Sequence, residues 1–274
     1  MTAPSPVLSL RAASLSFGDR TLWQNLTLDV RPGEFLAVLG PNGTGKTSLL
    51  KAILGQRKLS SGTIEILGEP VARGSRRIGY IPQQKLLEPG TPLRARDLVA
   101  FGLNGHRWGL PISSRAVRRQ VDSILESVGA TEYANVPVAT LSGGEQQRVR
   151  VGQSIAGGPS LLLCDEPLIS LDLHHQRQVS ELIDEQRAAT NTAVVFVTHD
   201  VNPILGMVDR VLYLAGGRFR VGTPEEVLRS DVLSSIYNTP VEVIRSRGRV
   251  VVLGAPEGYG VHHHLELDGG ASAS

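Results

Sequence analysis

The run Gly40-Pro41-Asn42-Gly43-Thr44-Gly45-Lys46-Thr47 satisfies G-x-x-x-x-G-K-[ST] between an apolar stretch, Phe35 to Gly40, and a helix-like one that begins at Lys46. Its glycines let successive backbone N–H groups turn inward onto phosphate oxygens, and the unsatisfied N–H groups of the following helix add to the field. Lys46 then sets a point charge against the β- and γ-phosphates, the Thr47 hydroxyl can ligate Mg²⁺, and Ser48 completes the binding set. The competing reading, a glycine-rich turn without function, fits poorly with a full motif in its strand–loop–helix context.

A phosphate-bound metal needs a carboxylate at the end of a neighbouring buried strand, and Leu161-Leu162-Leu163-Cys164-Asp165-Glu166-Pro167 supplies one. Asp165 would hold Mg²⁺, usually through water, and Glu166 would act as base or orienter of an attacking water. Taken alone, two acids after an apolar run could equally be a solvated strand end. His199, in Val197-Thr198-His199-Asp200, ends another apolar run, and its imidazole could hydrogen-bond a γ-phosphate. A lone strand-end histidine is usually a packed surface residue; a shared sheet edge changes that reading.

These groups must be positioned by strands that alternate with helices. Val7 to Arg31 reads as antiparallel strands with a turn near Gly18-Asp19, and Phe35 to Gly40 as a buried strand. Lys46 to Leu54 has helical spacing, with Gly55 just beyond its end. Gly62 to Gly68 and Arg77 to Ile81 read as further strands, and Pro92 to about Ala134 as helical, with Val117, Val121, Ile124, Leu125 and Val128 three or four apart. The runs LLLCDEP and AVVFVTHD flank a helix-like stretch from Leu173 to Ala189. The expected fold is α/β: a P-loop NTPase core with a mainly parallel sheet, an N-terminal antiparallel β subdomain and an inserted α-helical subdomain at about 92–138. Its site should lie at the strand C-terminal ends. One domain is expected over 7–240. A C-terminal extension over 241–274 would carry a β-like run, Arg249 to Leu253, and then a flexible His/Gly/Ser tail.

Composition narrows the partners. Of 274 residues, 28 are Lys or Arg and 26 Asp or Glu; the net charge of +2 predicts no nucleic-acid face. No apolar run approaches the ~18 residues of a membrane-spanning helix, and the mean hydropathy is −0.02. The single cysteine, Cys164, cannot close an intrachain disulfide. The N-terminus lacks the basic-then-apolar pattern of a secretion signal, so a reducing cytoplasm is the expected compartment.

Leu141-Ser142-Gly143-Gly144-Glu145-Gln146-Gln147-Arg148-Val149 resembles the signature sequence of the ATP-binding cassette family, the ATPase subunits of ABC transporters, with Glu145 where that signature often has Gln. Independently of the resemblance, Ser142 and two glycines before a polar helical stretch make an N-cap with exposed N–H groups, a second anion site. The resemblance implies that two cassettes pack head to tail, so that Ser142, Gly143 and Gly144 of one close on the ATP held by the cradle of the other. It also implies that Gln83 touches metal and attacking water, although Gln84 stands beside it. Phe17 would stack on adenine, with Trp23 a competing candidate, and Leu171-Asp172 matches the D-loop. The family usually has Thr or Ser where this chain has Leu168. The resemblance covers roughly residues 7–235 in six ordered motifs, and implies ATP and Mg²⁺ as cofactors.

A compact cassette without membrane helices resembles importer subunits. Separate polytopic permease subunits and, indirectly, an extracytoplasmic substrate-binding protein are then the implied partners, at the cytoplasmic face of the plasma (inner) membrane. The stretches Arg77 to Gln83, Pro92 to Leu98 and Gly222 to Val227 look like cassettes for zinc, manganese or iron chelates. A divalent metal is the expected cargo, with an iron-chelate importer or a soluble cassette of the iron–sulfur assembly type as alternatives. A nucleotide kinase or GTPase has no use for the signature. His262, His263 and His264 lack the spacing of a defined metal site and read as a solvated tail, His174-His175 as a helix-start pair, and Arg115, Arg118 and Arg119 as a solvated basic face.

Overall fold

A computed structural model describes residues 5–83, 92–104 and 114–254. The chain starts with β1 (Leu8–Phe17) and β2 (Arg20–Val30), antiparallel about Gly18-Asp19 with register from Leu8↔Val30 to Phe17↔Arg20. Alternation buries Leu8, Leu10, Leu26 and Leu28. The register slips after Leu10, where Ala12 takes a φ of 44° and gives its N–H to the Thr27 hydroxyl at 3.0 Å. After β3 (Phe35–Leu39) and α1 (Lys46–Ile53), β4 (Ser61–Ile66) returns to pair with β1, and β5 (Glu69–Pro70) follows at its edge.

The second sheet begins with β3 and takes in β6 (Ile78–Ile81). The chain then leaves it for α2 (Ala95–Asn104), α3 (Arg115–Ser127) and α4 (Gly143–Ile155). It returns through β7 (Leu161–Asp165), α5 (Leu173–Thr190), β8 (Ala193–Val197), β9 (Arg210–Ala215) and β10 (Arg218–Gly222). The strand order is β10-β9-β3-β8-β7-β6, parallel except for β10. Strands β3 and β8 are apolar throughout, and β7 is apolar up to its terminal Asp165, because both faces are covered. Leu36, Val38, Leu163 and Val195 pack with the antiparallel sheet and α1, while Ala37, Leu39, Leu162, Cys164 and Phe196 pack toward the helices. Cys164 is fully buried, and burial pushes its thiol pKa up.

Within the stretch from Pro92 read as helical, the described residues form α2 and α3, and 105–113 lie outside the described residues. Ser114 caps α3 by accepting from the Val117 N–H, and Val121, Leu125 and Val128 face inward. The base of this segment is sewn shut: Ala95 N–H donates to Val136 O at 3.1 Å and Val138 N–H to Leu93 O at 2.8 Å. Among the described residues no helix is long and apolar enough to cross a membrane.

Past α6 (Pro224–Val227) and α7 (Ser230–Tyr237), β11 (Glu242–Ser246) and β12 (Arg249–Leu253) form a hairpin. It packs into the body through Val250 and Val252. The tail with His262, His263 and His264 lies outside the described residues. The Asn202 side chain donates to Val250 O at 3.0 Å and accepts from Val250 N–H at 2.8 Å, pairing both backbone groups of a buried residue. Asn202→Ala orphans them and is expected to lower unfolding free energy by about 1–3 kcal/mol. Chemical denaturation reads this directly, and an unmoved midpoint would show that the clamp contributes nothing.

Candidate functional site

Parallel pairing carries the ends of β3, β6, β7 and β8 to one edge. Gly40 follows β3, Pro82-Gln83 follow β6, Asp165 ends β7, and Thr198-His199 follow β8. Strand β7 is not the direct neighbour of β3, because β8 lies between them. The loop from Gly40 to Gly45 crosses this edge into α1. Gly40 has a φ of 139°, and a Cβ there would overlap the Leu214 carbonyl oxygen of β9, so both conformation and space call for glycine. Helix α1 starts without a side-chain cap and without an acidic first turn, leaving its N-terminal amides and dipole directed at an anion.

Phe17, Arg20, Asn42, Gly43, Gly45, Lys46, Thr47, Ser48 and Glu166 line one cavity of about 290 Å³, with Leu22. The Lys46 ammonium is buried and donates to Gly40 O at 2.6 Å and Pro41 O at 3.0 Å. Burial lowers its pKa, and the charges of Glu166 and Asp165 oppose that. The Thr44 hydroxyl braces the loop by donating to Pro41 O at 2.9 Å. Beside the cavity, Thr47 Oγ1 donates to Asp165 Oδ1 at 3.0 Å, and the Tyr80 hydroxyl donates to Oδ2 at 3.3 Å. Asp165 is 2% exposed, and desolvation raises its pKa against those two bonds.

Glu166 adopts a φ of 48° and donates its backbone N–H to Val197 O at 3.0 Å, so β8 fixes its direction. Its Oε2 lies 3.7 Å from His199 Nδ1, beyond hydrogen-bond distance but close enough for the two groups to interact electrostatically. The facing imidazole holds the Glu166 carboxyl below its usual range, and the carboxylate raises the His199 pKa in turn. A carboxylate held toward its ionised form beside an imidazole suits the orienting of a water at a phosphorus atom. Thr47 and Asp165 bring two hard oxygens to one point. That donor set fits Mg²⁺, which takes few protein ligands and keeps waters and phosphate oxygens. Gln83 is exposed one residue beyond Pro82 at this edge, while Gln84 lies outside the described residues.

The aromatic alternatives separate cleanly. Trp23 is 0% exposed, and a Cβ on Gly45 would meet its indole nitrogen at 3.0 Å, so it supports the loop from behind and cannot be a ligand platform. Phe17 is 42% exposed and lines the cavity, with the Arg57 guanidinium 3.9 Å from its ring centroid. Arg20 Nη2 donates to Gly43 O at 3.1 Å. Tyr80, Arg20 and Arg57 carry no motif in the sequence; strand pairing and loop packing bring them to the site.

Ser142, Gly143 and Gly144 do not line this cavity. Ser142 caps α4 as expected, but the N–H groups there are less open than the sequence suggests. Ser142 Oγ accepts from Glu145 N–H at 3.3 Å, and both Ser142 N–H and Oγ donate to Glu145 Oε2 at 2.8 Å. The carboxylate at the position that often holds Gln thus closes a capping box. Leu168 and Leu171 are buried, and Asp172 caps α5.

A glycine loop leading from strand to uncapped helix, a threonine against a strand-end aspartate and an acid–histidine pair define a P-loop nucleotide-binding protein. Residues 23–169 match the model of the family described as ABC transporter, and the chain belongs to that family. It is 34% identical over 258 residues to the hemin import ATP-binding protein HmuV of Shewanella denitrificans, covering 90% of this chain and 99% of that protein. To the zinc import ATP-binding protein ZnuC 1 of Hahella chejuensis it is 31% identical over 236 residues, covering 86% and 85%. The spermidine/putrescine import ATP-binding protein PotA of Bacteroides fragilis matches at 33% over 245 residues, 88% of this chain, which spans only 50% of that relative's length. A solved chain described as a metal-chelate type ABC transporter, inward-facing, aligns with a TM-score of 0.77 at 26% identity, covering 90% and 96%.

Two substitutions test the site. Lys46→Ala should abolish ATP binding in a fluorescent-nucleotide titration, and normal affinity would contradict the cradle. Phe17→Ala should weaken ATP about 5- to 10-fold, in keeping with ~1–1.5 kcal/mol for an aromatic stack, while leaving inorganic triphosphate unaffected.

Proposed function

We propose that this chain hydrolyses ATP as the cassette of an importer whose membrane-spanning subunits are separate chains, acting at the cytoplasmic face of the membrane. The observation that carries the reading is the separation of two anion-directed surfaces, the cradle at the sheet edge and the α4 N-terminus, which does not line the cradle's cavity. Each completes a site only against a second cassette. ATP then stabilises the closed pair by contacts that exist only in it, and hydrolysis removes them.

In the closed pair a water attacks the γ-phosphorus in line, the bond from phosphorus to the β–γ bridging oxygen breaks, and ADP leaves as the product with phosphate. Glu166 accepts the water's hydrogen bond, and His199 holds that carboxylate and meets the γ-phosphate. Lys46 and the loop amides spread the charge on the phosphate oxygens. Thr47 and Asp165, together with Gln83, would hold Mg²⁺, which would supply charge neutralisation to the phosphate oxygens. Permease subunits and an extracytoplasmic substrate-binding protein complete the assembly.

A metal cargo, zinc or manganese as ion or iron as chelate, is the reading for transport. The near full-length match to a hemin importer and the metal-chelate type neighbour favour the chelate; the zinc importer at 31% identity supports the ion. Cell-associated zinc, manganese and iron measured after deletion of the chain distinguish the two, and purification in a wholly soluble complex without a polytopic subunit would favour the assembly-type alternative. Glu166→Gln should still bind ATP yet lose about 10²–10⁴-fold in turnover and accumulate as an ATP-bound dimer. Unchanged turnover would defeat the role given to Glu166.

A further inference from the structure

His175 joins the Leu171-Asp172 loop to the α4 N-terminus, the segment that the cassette reading closes on a second copy. It sits in the first turn of α5, and the cap Asp172 grips it twice: Oδ1 accepts from the His175 backbone N–H at 2.9 Å, and Oδ2 lies 2.7 Å from Nδ1. The imidazole rests on Gly144 in the first turn of α4, where a Cβ would overlap Cδ2 of the ring. Gly144 is buried there, although Ser142 is exposed. A side chain at this signature position would have to displace an imidazole of its own chain. A second rung runs alongside. His174 Nε2 lies 2.9 Å from Gln178 Nε2, Gln178 Oε1 accepts from Arg148 at 3.1 Å, and Arg148 donates to Val128 O, just past α3, at 3.2 Å.

We infer that His175 is a positioning residue that locks the Asp172 loop to the N-terminus of α4, so that both segments meet a second copy as one rigid block. The inference rests on the paired-cassette reading. Two segments fixed to each other before contact lose less freedom on association than two that must be ordered separately. The ring is seated by Asp172 on one side and Gly144 on the other, and it touches no part of the cradle cavity. Its removal should leave nucleotide binding to the single chain intact and impair only the pairing.

The test uses the full chain carrying Glu166→Gln, with MgATP, and reads dimer formation by light scattering over a protein dilution series. Adding His175→Ala should raise the concentration for half-dimerisation roughly tenfold, the scale of coupling through a packed network. The affinity of the monomer for a fluorescent ATP analogue should not change, and His175→Gln, which keeps an N–H donor for Asp172, should restore most of the loss. Gly144→Ala should lower the melting temperature when His175 is present and do so much less beside His175→Ala. Dimerisation undiminished by His175→Ala, or additive effects of the two substitutions on melting, overturns the inference alone. Failure of the Glu166→Gln parent to dimerise removes the paired-cassette reading and the inference with it.

Discussion

A parallel sheet covered on both faces can offer chemistry only at its ends. In this chain β3 and β8 are apolar at every position and β7 at every position before Asp165, with alternate side chains committed to two separate cores. Their polar groups are pushed to the last strand pair, as with Asp165, or to the residues just after it, and parallel pairing brings those residues to one edge. Gly40, Asp165, Glu166 and His199 are therefore neighbours because of hydrogen bonds made several residues earlier in each strand. The backbone bond from Glu166 to Val197 makes the dependence explicit, since the carboxylate takes its direction from the adjacent strand.

The two helix N-termini at which anions are expected are built differently. Helix α1 leaves its first amides without a side-chain cap, while α4 spends Ser142 and Glu145 on each other. A phosphate reaching Ser142 must compete with a carboxylate already bonded to its hydroxyl and its N–H. The first helix end is open to ligand as it stands, and the second yields only to a strong, correctly placed anion.

Much of this was legible in the order of residues, and the reason is physical. The glycine loop, the strand-end acids and His199 combine local backbone geometry with short apolar runs, both of which are properties of contiguous sequence. Tyr80 was not legible, because its bond to Asp165 depends on β6 lying beside β7, a long-range choice of strand order. Phe17 and Trp23 could not be ranked for the same reason: only packing decides that Trp23 lies behind the loop and Phe17 beside the cavity. Strand β11 is a weaker case still. Its residues are mostly exposed, and it exists by pairing with β12 across a turn at Arg247-Gly248. The Glu145 capping box follows a known spacing, yet whether the carboxylate folds back to its own helix is a rotamer outcome rather than a pattern.

The burial of Cys164 has a practical consequence. The chain carries no other cysteine, and this one is fully buried on β7, one strand in from the sheet edge, with its thiolate disfavoured. Maleimide and nitroxide reagents need an accessible thiolate, so the native chain already behaves as an unlabelled background. A single cysteine introduced at an exposed helix position would take a spectroscopic probe selectively, and distances across a pair of such chains become measurable without first re-engineering the interior.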